Sequence, residues 1–176
     1  MGTKRKRILI AAVILILMAA IGGIIDHTDS KEDSGGAVIE IEKSGEGEEA
    51  EMQGDIYVRD MVTNHNFFVN SLSNLGGLLS GMDGDDNWFN EVTSEAMAIA
   101  GVANRFTTVN PPNKKKEAHE KYLEHAGSIE AAVNEIAAMF GKYKLTDENL
   151  ERLGELSELI VSKAEPLSQT IDLIMN

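Results

Sequence analysis

Two histidines and two glutamates crowd into seven residues at His119–His125, read HEKYLEH, a composition suited to metal ligation or proton transfer. Spacing decides against joint chelation. Ligands that share a helical face sit three or four residues apart, as in HExxH, where two imidazoles stack on successive turns. His119 and His125 are six apart, a rotation of about 600° that leaves them roughly 120° from each other around the axis. No Glu-x-x-His pair occurs in the chain, so the di-metal carboxylate-bundle signature is missing as well. His119 follows Lys114, Lys115, Lys116 and Glu117 and is expected on a solvated face.

His125 falls instead on the apolar seam of its segment, and His65 on the seam of another. If these two imidazoles meet across a core beside the small residues Ala96 and Ala164, they could hold a transition metal or, as axial ligands, a haem. Tyr122 and Glu95 or Glu165 would then be outer partners. The plainer expectation is that a seam histidine is a core polar group, bonded to a hydroxyl, a carbonyl or water, that sets helix register. A pH-sensitive switch is a third role. The chain has no cysteine, hence no CxxCH and no covalent haem. The leading expectation is no cofactor.

DGDDNWFNE, residues 83–91, begins like a calcium loop, with oxygen ligands at Asp83, Asp85 and Asn87. The EF-hand needs glycine at its sixth position and glutamate at its twelfth; Trp88 and Ser94 stand there. An acidic turn between helices is the expectation. Without cysteine, G-x-S-x-G, P-loop or HExxH, no catalytic residue is assigned and no enzyme is expected. Heptad packing accounts for the aromatic group Phe67, Phe68, Trp88 and Phe89.

The elements that position these residues follow from apolar spacing. Steps of three and four run through Val58, Met61, His65, Phe68, Leu72, Leu75, Leu79 and Met82, and then through Phe89, Val92, Ala96, Ile99, Ala103 and Phe106. A third stretch reads Ala118, Tyr122, His125, Ile129, Ala132, Ile136 and Met139; a fourth reads Leu150, Leu153, Ser157, Ile160, Ala164, Leu167, Ile171 and Ile174. Four such seams predict an all-α, up-down-up-down four-helix bundle. Gly81 and Gly84 close the first helix, Asp86 or Asn87 caps the second, Asn110-Pro111 opens the third, and Gly141 and Thr146 separate third from fourth. Pro166 is expected to kink the fourth helix or split it in two. Gly76-Gly77 and the alanines of the second segment with Gly101 suggest close helix approach, or a small-residue face for a homo-oligomer.

The bundle occupies residues 55–176 of the 176. Residues 1–7 form a basic tip with Lys4, Arg5, Lys6 and Arg7; residues 8–25 contain no charge. Eighteen helical residues extend roughly 27 Å, enough to cross the hydrocarbon core as a signal anchor, with the cations held on the cytoplasmic side. A cleaved signal ending at Ala20-Ile21-Gly22 is the competing reading. Residues 26–54 are rich in Glu, Asp, Ser and Gly and read as a flexible, disordered acidic tether, with AVIEIE as a brief strand at most. Setting aside the tip's four cations leaves 12 basic residues against 29 acidic ones. That balance argues against nucleic acid and suits cationic partners. Localisation in the cell membrane with the domain outside the cytoplasm follows, and the partner expected is another envelope protein.

The stretch NPPNKKKEAHEKYLEHAGSIEAAV resembles the Pro-initiated, His-containing helix of uncharacterised anchored or secreted helical domains of Gram-positive bacteria. The resemblance implies a surface-exposed bundle and assigns no functional residue.

Overall fold

Each apolar stretch becomes a helix with one buried face. The computed structural model describes residues 47–81, 85–140 and 146–176. It contains helices α1 (Gly47–Ser80), α2 (Asp86–Thr108), α3 (Lys116–Phe140) and α4 (Asp147–Met175), with a 3-10 turn at Asn113–Lys115. The four pack as a bundle in which consecutive helices are neighbours and α1 touches α4 only sparsely. Direction is read from contacts. Trp88 at the start of α2 donates from Nε1 to the carbonyl of Leu78 at the end of α1 (2.7 Å). Trp88 and Phe89 also pack on Phe140 at the end of α3. Arg152 early in α4 meets Glu135 late in α3. Neighbours are therefore antiparallel, and α1 and α3 run parallel across the diagonal.

The basic tip, residues 8–25 and most of the acidic stretch, with Met82, Asp83, Gly84 and Gly141, lie outside the described residues. Among the described residues no helix is long and apolar enough to cross a membrane. α1 begins at Gly47, inside the stretch read as tether. Between Gly47 and Gly54 the sequence is made of Glu, Ala, Met and Gln, all good helix formers.

Helix starts differ from expectation at two places. Asp85, one residue before the expected cap, accepts from the amide of Trp88 (2.7 Å). α3 starts later than Asn110-Pro111 implied, because a residue that precedes proline avoids the helical region and Pro111 itself precedes Pro112. The chain first turns at Asn113 and becomes α-helical at Lys116. Thr146 caps α4 as expected, accepting from the amide of Asn149 (3.1 Å). Pro166 does not divide α4, which runs unbroken to Met175. α1 is likewise continuous through Gly76 and Gly77. A Cβ on Gly77 or Gly101 would meet nothing within 4 Å, so neither residue serves a close approach within the bundle.

The stripes of α2 and α4 are buried as expected. In α3 the buried stripe is His119, Tyr122, Ala126, Ile129, Val133, Ile136 and Phe140, with Ala132 also buried. Ala118, His125 and Met139 are only half-buried. The seam is thus rotated by one residue at alternate positions, which turns His119 into the core and leaves His125 half-buried.

Candidate functional site

Four polar aromatic side chains meet across the α1–α3 diagonal. His65, 1% exposed, bonds through Nδ1 to the hydroxyl of the fully buried Tyr122 (2.8 Å). Nearer the start of both helices the arrangement is reversed: the Tyr57 hydroxyl of α1 meets Nδ1 of His119 on α3 (3.1 Å). Both ring pairs are inclined, with centroids 5.8 Å and 5.7 Å apart. Phe106 of α2 packs edge-on against Tyr122 (4.8 Å) and touches Phe68 behind it. The pairs sit in a wall of aromatic rings.

His119 is therefore not the solvated residue that its lysine-rich flank suggested; it is 4% exposed. It faces inward because Tyr122, three residues on, shares its face. No hydrogen bond connects His125 with His65; Nδ1 of His125 and Nε2 of His65 are each buried without a partner among the described residues.

Tautomers follow from counting donors. If the Tyr122 hydroxyl donates to Nδ1 of His65, only the proton on Nε2 lacks an acceptor. The reverse assignment would strand both the Tyr122 proton and the Nε2 lone pair. The first arrangement leaves fewer buried groups unpaired. Burial disfavours charge on every member. It pushes His65 down from 6.5 to about 4, lowers His119 despite the nearby Glu120, raises Tyr57 to about 12 and lifts Tyr122 well above 10. Burial thus favours the neutral form of the His65–Tyr122 pair near neutrality.

Among the described residues no three His, Cys, Asp or Glu side chains gather at a place that could hold an ion. His65 spends one nitrogen on Tyr122, and neither histidine lines either of the two grooves described next. Glu95 accepts from Asn74, and Glu165 accepts from Gln169; neither reaches these rings.

Two open grooves lie on the α1–α2 face. One groove, about 790 Å³, runs between the second half of α1 and the first half of α2 and is lined by residues including Asn74, Gly77, Trp88, Glu91 and Glu95. The other, about 650 Å³, lies at the opposite end among Ile56, Tyr57, Asp60, Asn64, Arg105 and Asn110. The chain matches no family model, no curated protein and no solved structure in comparisons with known proteins.

Sequence reasoning missed Tyr57 and His119. Two stripes with perfect three-four spacing share Tyr122, Ile129 and Ile136 in α3; they differ at Ala132 against Val133 and Met139 against Phe140. The larger apolar residues at 133 and 140 were the available signal, and following them turns His119 inward.

Proposed function

We propose that this protein is a membrane-anchored, extracytoplasmic helical bundle that acts by binding another protein of the cell envelope. The observation that carries the reading is where the polar aromatic chemistry lies. Tyr57, His65, His119 and Tyr122 are paired with each other in the core, whereas the surface offers two open grooves on one face. Side chains locked in neutral pairs hold helices; grooves receive partners. The basic tip and the uncharged residues 8–25 support an anchor, and the acidic stretch after them supports a spacer that keeps the bundle clear of an anionic surface.

The test is crosslinking of the full-length chain in its native membranes, followed by capture and identification. One protein should be recovered reproducibly, and its yield should drop when exposed α1–α2 positions are altered while α4 surface changes leave it intact. A chain that captures nothing reproducibly, yet turns over a substrate, would sink the reading.

A further inference from the structure

The described charges are segregated along the bundle. In the half that holds the α1–α2 and α3–α4 connections, the described residues 67–81, 85–97, 129–140 and 146–161 carry eleven acidic side chains and one basic one, Arg152; the sequence between α3 and α4 adds Lys142 and Lys144, and that between α1 and α2 adds Asp83, so acids still prevail by twelve to three. In the other half, residues 52–66, 98–128 and 162–176, seven acids balance seven bases. The larger groove opens in the acidic half. Asp85, Glu91 and Glu95 line it and no Lys or Arg does.

We infer that this groove is the docking site for a cationic segment of the partner protein, one carrying two Lys or Arg side chains about 6 Å apart. The inference rests on the binding function proposed above and names its site and partner chemistry. Glu91 and Glu95 are one helical turn apart on α2, about 6 Å along the axis. That separation matches cations at i and i+4 of a helix, or at i and i+2 of an extended chain. Each carboxylate is steadied by an amide: Asn87 donates to Glu91 (2.8 Å) and Asn74 to Glu95 (3.4 Å). The second oxygen of each has no partner among the described residues and can accept from a lysine or an arginine.

Shape points to a polypeptide rather than a lone ion. The lining runs along α1 from Ser73 to Gly81, about 12 Å. Trp88 and Leu78 supply apolar lining. Gly77 sits in this wall with open space where a Cβ would be. A glycine inside a helix is less favourable than alanine, and among the described residues nothing packs into the room it leaves; a partner side chain would. The acidic half supplies the long-range field that draws such a segment in.

Trp88 is the chain's single tryptophan and lines the groove, so it reports occupancy directly. The experiment titrates the full-length chain in nonionic micelles with a synthetic peptide of about twelve residues carrying lysine at every fourth position among alanines, the helical spacing above. The expected result is a saturable change in Trp88 emission, absent with the glutamate-for-lysine peptide. Glu91→Gln with Glu95→Gln should weaken binding about tenfold or more through loss of two charge-assisted bonds. Gly77→Leu should abolish it without loss of helicity, because the added side chain enters open space. Three outcomes overturn the inference. They are no saturable response, full affinity in Gly77→Leu, or equal weakening by Glu148→Gln with Glu158→Gln, which would show diffuse attraction to the acidic half. A reproducible crosslinked partner together with any of these would leave the binding function standing and remove this groove as its site.

Discussion

Acid should loosen the bundle before its carboxylates titrate, and His65 sets the size of the effect. Burial lowers its folded value to about 4, against 6.5 for the exposed group. The folded state therefore resists a proton that the unfolded chain accepts, so stability is complete above pH 6.5 and is lost as pH falls toward 4. With those two values the linkage relation gives a loss of about 2 kcal/mol at pH 5 and about 3 kcal/mol at pH 4, flattening below. His119 is lowered by burial too and acts in the same direction. Glu117 and Glu135 are lowered by bonds to Lys121 and Arg152, so their contributions are lost only at more acidic pH. Tyr122, which faces His65 from α3, stays neutral throughout. The assay is urea unfolding of the full-length chain in micelles, followed by helical circular dichroism, at pH 7, 6 and 5. His65→Gln removes the titrating ring and keeps an amide for the Tyr122 hydroxyl, so it should lose less than half as much stability as the parent over that range. Equal losses in parent and variant would refute the assignment to His65.

Tyr122→Phe removes the hydroxyl that satisfies Nδ1 of His65 and should cost about 1–3 kcal/mol at neutral pH, measured by the shift in urea midpoint, because the nitrogen is left buried and unpaired. Gly101→Ala lies in the interior of α2 with open space around the new methyl group, and should raise stability by about 1 kcal/mol; a lower melting temperature would show that something occupies that space.

Much of the bundle was readable because heptad spacing leaves few choices in three of the helices. The stripes of α2 and α4 contain every position expected of them, and α1 differs mainly in burying Tyr57 where Val58 was expected. The site was harder. Two adjacent stripes in α3 share three of their seven members, so a rotation of a fraction of a turn puts His119 rather than His125 on the stripe while leaving the spacing equally regular. Local flanks misled further: three lysines before His119 suggested solvent, yet they belong to the 3-10 turn and the first residue of α3, whose exposure says little about the next turn. Pairing across the diagonal was anticipated for His65, whose hydrogen bond goes to Tyr122, a residue expected there only as an outer partner, because reading along one helix does not reveal which residue of a non-adjacent helix stands at the same height. The grooves were not legible at all, since they depend on how far α1 and α2 diverge.

The two tyrosine–histidine pairs change how the bundle should be thought of mechanically. α1 with α2 and α3 with α4 form two well-packed hairpins joined along α2–α3, while the remaining seam, α1 against α4, is sparse. A body built that way resembles a book hinged at one edge. Its open edge is held by few contacts, and the diagonal hydrogen bonds that join Tyr57 and His65 to α3 act as two clasps across the pages. Separating the hairpins must break both clasps and strip partners from buried polar groups, whereas bending within either hairpin disturbs neither.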